Sequence, residues 1–342
     1  MGDQVRIGLI GVGAMGRIHA QNLLSMPNVA LVAVADPKIE AIERSGFRLP
    51  EGVVRATNYH DLLGMTLDAV VLSSATTTHK DILMDLVHYG RPVLCEKPLA
   101  AELDEARHVH QAICDHGLLV QMGFVRRFDP LYRRAKELID EGRIGEPYHY
   151  WGLSRDQWAP PLDTVKDSGG FVVDTGVHEY DLVRWFFHDE FASVYARGGV
   201  FVTKALAALG DYDQVDINFR TVGGKLGAIE LSRNAIYGYD VRAEILGDRG
   251  AIRVVADHRT TTALYVENQV IGDTFQTFAE RFQWAYKQQL VEFVELVKGE
   301  RTHTPVGSGD AVKAQEVAMA VKQSLATGQP CDLATVESMS SF

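Results

Sequence analysis

An apolar run, Val5–Ile10, leads directly into Gly11-Val12-Gly13-Ala14-Met15-Gly16, and the residues that follow, Met15–Ser25, have helical periodicity. Glycines at this G-x-G-x-x-G spacing, with a strand before them and a helix after, leave the backbone few other options. Gly11 permits a tight turn, Gly13 lets the backbone be approached closely, and Gly16 lets the helix pack against the strand. The start of such a helix offers unpaired N–H groups and the positive end of its dipole to an anion. Asp36 ends a second apolar run, Val29–Ala35, and lies 20 positions beyond Gly16. A carboxylate there can accept hydrogen bonds from ribose hydroxyls, so the segment predicts a dinucleotide site through Gly11, Gly13, Ala14, Met15, Gly16 and Asp36. It also repels a 2′-phosphate and favours NAD over NADP, although Lys38 could reach such a phosphate if it is not simply solvated.

Further short apolar runs at Ala69–Ser73, Arg91–Cys95 and Leu118–Met122 alternate with helical segments at Ile39–Ser45 and His79–His88. Strands alternating with helices require right-handed crossovers and a doubly wound parallel sheet, here expected over residues 1–123. The pattern then changes. Helices are expected at Asp129–Glu141 and Phe171–Phe187, and strands at Ser193–Val202, Gln214–Thr221, Lys225–Arg233, Asp240–Gly247 and Gly250–Ala256. Turns such as Gly223-Gly224 and Gly247-Asp248 suit a largely antiparallel sheet. Helices return at Thr277–Lys298 and Gly309–Ala326. The reading is α/β: an N-terminal Rossmann domain, then an α+β domain over 124–342 for substrate binding and oligomerisation.

A formal charge of −11 argues against a nucleic-acid partner, which needs a basic surface. No run of about 20 apolar residues suggests a membrane span. The start, Met1-Gly2-Asp3-Gln4, lacks the features of a signal peptide. Cys95, Cys114 and Cys331 are widely spaced and odd in number, which points away from a disulfide framework and towards the cytoplasm. Cys95 reads as a buried, inert thiol.

Ser73-Ser74-Ala75-Thr76-Thr77-Thr78-His79 follows the third apolar run, so Ser74, Thr76 and His79 either line the cofactor cleft or cap the next helix. The fourth run ends in Cys95-Glu96-Lys97-Pro98. Ligands of open parallel sheets sit beyond the carboxyl ends of the strands, which directs Glu96 and Lys97 towards the cofactor. The Lys97 ammonium could stabilise a developing alkoxide, or could be a surface lysine paired with Glu96. In Gly169–Asp181 a helix would set Asp174 and His178 at i and i+4 on one face. There His178 could accept a hydroxyl proton while Asp174 orients its ring; a capping Asp beside an incidental His is the plainer alternative. An Asp/His pair can also bind metal, but no Cys/His cluster of zinc-site spacing accompanies it.

Taken together, Gly11–Gly16, Asp36, Glu96-Lys97-Pro98 and Asp174-x-x-x-His178 resemble the Gfo/Idh/MocA oxidoreductases over nearly the whole chain. Within that family the chain looks most like the inositol 2-dehydrogenases, on Gly123–Asp129, Asp167–Gly170 and Asn234–Arg242. The resemblance implies Lys97 as the catalytic lysine, His178 as the acid/base, Asp174 as its polar partner, and Arg127 and Tyr237 lining a polyol pocket. It further implies a second domain built on a largely antiparallel sheet, commonly in tetramers. Trp151–Pro161 departs from the family pattern, with Arg155, Asp156 and Trp158 where some inositol dehydrogenases carry a histidine.

Three functions follow for comparison: an NAD-dependent inositol dehydrogenase, a dehydrogenase of a pyranose or anhydrosugar, and a dinucleotide-binding sensor that has lost its chemistry. A polyol would need mixed donors and acceptors, which Arg127, Asp156, Asp174, His178 and Tyr237 offer, with Trp158 covering a ring face or packing in the protein. A sensor has no chemical need for Lys97, Asp174 and His178.

Overall fold

The strand that leads into the glycine loop is central to a six-stranded parallel sheet. A computed structural model describes residues 4–256, 258–260 and 262–339 of the chain. The chain divides into two units, Met1–Phe128 with Trp284–Val312 and Asp129–Gln283 with Lys313–Phe342.

The first unit runs β1 (Val5–Ile10), α1 (Ala14–Leu24), β2 (Val29–Ala35), α2 (Ile39–Arg44), β3 (Val54–Ala56), α3 (His60–Leu63), β4 (Ala69–Leu72), α4 (His79–Tyr89), β5 (Val93–Cys95), α5 (Leu103–His116) and β6 (Val120–Met122). The strand order is β3-β2-β1-β4-β5-β6, with all neighbours parallel, so the order reverses beside β1, where open α/β sheets bind their ligands. Val70, Val71 and Leu72 are fully buried, as strands covered on both faces require. The short strand β3 and the helices α3 and α5 add to the elements expected from the sequence.

The second unit begins with α6 (Pro130–Asp140), whose Asp129 cap accepts from the Leu131 and Tyr132 N–H groups, with a proline at the first helical position. Then come β7 (Pro147–Arg155), α7 (Leu162–Asp167), α8 (Phe171–Asp174), α9 (Gly176–Phe187), β8 (Phe191–Gly199), β9 (Gln214–Thr221), β10 (Leu226–Ser232), β11 (Asp240–Gly247) and β12 (Gly250–Val254). A separate hairpin, β13 (Ala263–Val266) with β14 (Gln269–Gly272), is followed by α10 (Phe278–Arg281), α11 (Gln283–Val297), α12 (Ser308–Thr327) and β15 (Cys331–Asp332).

The second sheet has the order β12-β11-β7-β10-β9-β8-β15. It is antiparallel except where β7 runs parallel to β10. Alternation sets its faces: Val215, Ile217, Phe219 and Thr221 of β9 are buried while Asp216, Asn218 and Arg220 are exposed. The expected helix Phe171–Phe187 is two helices broken at Thr175. Thr277–Lys298 is likewise two, with Phe282 between them.

The strands of the first sheet all precede residue 123 and those of the second all follow it, whereas helix α11, far along the chain, belongs largely to the first unit. Leu290, Phe293 and Val294 of α11 belong to the same core cluster as Ile7, Leu9, Val34, Val71 and Leu94. Burying each such side chain is worth about 1.5–3 kcal/mol, which is the physical reason that the chain returns residues 284–312 to the first unit. Among the described residues no helix is long and apolar enough to cross a membrane.

Candidate active site

In the first unit the glycine loop has the features that a dinucleotide needs. Gly11 has φ +89°, and a Cβ on it would lie 2.5 Å from the Ser74 backbone. A Cβ on Gly16 would come within 2.0 Å of the Gly11 carbonyl oxygen, so helix and loop pack at glycine distance. Gly13 and Ala14 are exposed, and a Cβ on Gly13 meets nothing within 4 Å. No side chain caps α1, and no acidic residue stands in its first turn. That leaves an open cradle of N–H groups at the positive end of the helix, which fits a pyrophosphate.

Asp36 is partly buried and structurally engaged. Its Oδ2 accepts the Val12 N–H and its Oδ1 the Lys38 N–H, each at 2.8 Å. A carboxylate has about four lone-pair sites, so these bonds orient it and still leave capacity for ribose hydroxyls. The Lys38 side chain is exposed.

The ends of β4 and β5 lie beside this loop. The Ser73 hydroxyl donates to the Gly11 carbonyl at 2.9 Å, and the Ser74 and Thr78 hydroxyls share a hydrogen bond of 2.7 Å. Thr76 is partly exposed. His79, expected at the cofactor, is buried: its ring nitrogens lie 2.8 Å from the Pro98 carbonyl and 3.2 Å from that of Ser74. Burial pushes its imidazole below the usual histidine range while the two carbonyls pull the other way, and a neutral ring has one N–H with which to donate to either of them. Burial also pushes the Cys95 thiol well up, which suits an inert side chain. Glu96 is buried too, with its Oε1 2.7 Å from Nε2 of the fully buried His19. In the stretch 95–100 Lys97 is the partly exposed side chain; Cys95, Glu96, Pro98, Leu99 and Ala100 are buried.

Arg127 is also in this unit. It is buried, donating from Nη1 to the Pro305 carbonyl at 2.8 Å and from Nη2 to Asp310 at 3.1 Å. Its guanidinium thus ties Arg127 to the segment around Pro305–Asp310.

In the second unit the break at Thr175 separates Asp174, which ends α8, from His178 in the first turn of α9. Phe171, Val172, Val173, Gly176, Val177, Glu179 and Tyr180 are buried, whereas Asp174, Thr175 and His178 are partly exposed. The adjacent Glu179 is fully buried and accepts hydrogen bonds from the Tyr150 and Ser154 hydroxyls, both at 2.6 Å. Asp156 follows β7 directly, with its N–H on the Ser232 carbonyl. Tyr237 is half-exposed; its hydroxyl donates to Asp240 and accepts from Arg155, each at 2.8 Å, and burial raises its phenol above the usual range. Trp158 is exposed. Among the described residues no group of three or more His, Cys, Asp or Glu stands where it could hold a metal ion.

Sequence reasoning missed His19 and Glu179. His19 had a readable signal, because Gly16, His19, Ala20 and Leu23 form the buried face of α1 and a histidine there interrupts an apolar stripe. Glu179 had none, since its partners lie on a strand that was not expected.

Comparison with known proteins agrees with this architecture. Residues 5–124 match the model of the oxidoreductase family with an NAD-binding Rossmann fold, and residues 132–253 match the GFO/IDH/MocA C-terminal domain. The chain is 35% identical to a scyllo-inositol 2-dehydrogenase (NAD(+)) of Bacillus subtilis, over 97% of each chain. It is 34% identical to a myo-inositol 2-dehydrogenase of Thermotoga maritima, over 94% of this chain and 96% of that one. The crystal structure of a scyllo-inositol dehydrogenase from Lactobacillus casei with bound NAD(H) and scyllo-inositol superposes with a TM-score of 0.90 at 26% identity, covering 97% of this chain and 100% of that one.

Proposed function

Because the chain belongs to the Gfo/Idh/MocA oxidoreductase family, we propose that it is an NAD-dependent dehydrogenase that oxidises one ring hydroxyl of an inositol to the corresponding inosose. One observation carries the reading. In the otherwise buried stretches 95–100 and 171–180, the open side chains are Lys97 in the first and Asp174, Thr175 and His178 in the second. An alcohol dehydrogenase needs the proton acceptor and the alkoxide stabiliser found among them.

The neutral His178 imidazole takes the hydroxyl proton, and Asp174 orients the ring and steadies the imidazolium. The Lys97 ammonium can stabilise the negative charge that builds on an alkoxide oxygen by donating a hydrogen bond to it. Bound NAD supplies the hydride acceptor. The Gly11–Gly16 loop, Asp36, Ser74 and Thr76 hold the cofactor, with Asp36 setting the preference for NAD over NADP. Glu96 and His79 act from behind, by fixing the turn that carries Lys97. Asp156 and Tyr237 meet the remaining ring hydroxyls, and Arg127 acts through the segment that it fixes. A misplaced hydroxyl would leave a buried polar group unpaired, so the site would discriminate between epimers. The inositol assignment draws on the names of the full-length relatives. The reading includes a homo-oligomer, for which exposed Trp151 and Leu226 on one face of the second sheet offer an apolar surface, with the tetramer resting on the family resemblance.

Steady-state assays with a panel of inositol isomers and pyranoses, each with NAD and NADP, test it. The expected result is efficient turnover of at least one inositol with a higher kcat/KM for NAD. Efficient turnover of a pyranose with negligible turnover of every inositol would replace the substrate, and equal efficiency with both cofactors would remove the role given to Asp36.

A further inference from the structure

Glu179 is a carboxylate where the fold would accept a hydrocarbon. It lies on the buried side of α9, at full burial, with fully buried Val183 one turn further on. Burying a carboxylate is expensive unless directional hydrogen bonds replace its hydration. Here they do. Glu179 Oε2 accepts from the Tyr150 hydroxyl and Oε1 from the Ser154 hydroxyl, both at 2.6 Å.

The two donors are four residues apart on β7, so they share one face of the strand, and Gly152 stands between them on that face. A Cβ on Gly152 would come within 2.2 Å of Glu179 Oε2. The strand thus presents hydroxyl, bare backbone and hydroxyl to the two oxygens of one carboxylate. Two bonds at separate points on a strand fix both the rotation and the axial position of a helix, which apolar packing alone leaves softer.

His178 is the next residue, about 100° around the same helix. Whatever fixes the rotation of α9 at Glu179 also fixes where the base of His178 is held. We propose that Glu179 is a positioning residue for His178, and that the clamp of Tyr150, Glu179 and Ser154 sets the aim of the imidazole. The proposal rests on the reading of His178 as the proton acceptor.

Glu179→Leu keeps the bulk and removes the clamp, whereas Glu179→Gln keeps the shape and can still bond both hydroxyls. Both are compared with the wild type, and with His178→Ala, for kcat and KM on the best inositol, NAD affinity by fluorescence titration, and Tm. Rates are taken per folded, NAD-binding site, so that lost stability alone does not change them. Glu179→Leu is expected to lower kcat about 10–100-fold, the effect of a misplacement on the order of 1 Å, with NAD affinity within about twofold. Glu179→Gln is expected to return kcat to within about threefold of wild type.

Wild-type kcat in folded Glu179→Leu would overturn the proposal, as would a Glu179→Gln variant as slow as Glu179→Leu. Should Glu179→Leu not fold, the double variant Tyr150→Phe, Ser154→Ala takes its place, with the same fall expected and the same wild-type result overturning. A His178→Ala variant with wild-type kcat would overturn the reading of His178 together with this proposal. An inactive His178→Ala beside a fully active Glu179→Leu would overturn the proposal alone.

Discussion

Two buried glutamates stand next to the two residues expected to do the chemistry, and the protein holds them differently. Glu96, beside Lys97, lies against the imidazole of His19, whereas Glu179, beside His178, lies against the hydroxyls of Tyr150 and Ser154. An imidazole can carry the charge that balances a carboxylate; a hydroxyl only donates a hydrogen bond. The first grip comes from α1, the helix that opens at the glycine loop, and the second from a strand of the second sheet. Support for Lys97 is thereby joined to the cofactor loop. Support for His178 runs through Tyr150 and Ser154 to the second sheet, so damage to the two grips should be distinguishable in solution.

The largest effect sets the scale for that comparison. His178→Ala should lower kcat by about 10²–10⁴-fold while NAD binding stays nearly intact, since the nucleotide loop belongs to the first unit. Steady-state rates and an NAD titration on the same preparation check it. Turnover near wild type would place the base elsewhere, with Lys97 the first residue to try.

His19→Leu should come next. It leaves the Glu96 carboxylate buried without its imidazole, at a cost of about 1–3 kcal/mol in stability. Because His19 lies on α1, NAD affinity and kcat should both fall, in contrast to Glu179→Leu, where only kcat should. Denaturant titration and NAD binding measure the two consequences. If His19→Leu kept wild-type NAD affinity, the grip on Glu96 would be no more tied to the cofactor than the grip on Glu179, and the comparison would fail.

The same contrast explains what could be read from the sequence. Most of the first sheet was legible because its strands, β3 excepted, lie in compact apolar runs and because the glycine loop stands between a strand and a helix. Lys97, Asp174 and His178 stood out as candidates because they lie within short motifs. The central strand β7 was not. Its sequence, Pro-Tyr-His-Tyr-Trp-Gly-Leu-Ser-Arg, alternates poorly, and its parallel partner β10 lies more than 70 residues further along the chain. Without β7 the purpose of Glu179 could not be seen. Nor could the return of α11 to the first core, since a helix's apolar face does not name the sheet that it will cover.

The smallest effect belongs to a residue that is shared instead of gripped. The Tyr237 hydroxyl donates to Asp240 and accepts from Arg155, but Arg155 also bonds Glu230, and Asp240 also receives Arg242. Each partner retains a second bond if the hydroxyl is removed, and the residue is half-exposed, so Tyr237→Phe should cost no more than about 1 kcal/mol of stability. Its kinetic effect should be confined to KM. A hydroxyl that also meets a ring hydroxyl of the substrate contributes about 0.5–1.5 kcal/mol net, which corresponds to a rise in KM of about 2–10-fold with kcat unchanged. That split separates Tyr237 from Glu179, whose loss should lower kcat and leave KM nearly alone. Unchanged KM in Tyr237→Phe across the inositol panel would remove Tyr237 from the substrate site and leave it as one member of a surface network with Arg155, Glu230, Asp240 and Arg242.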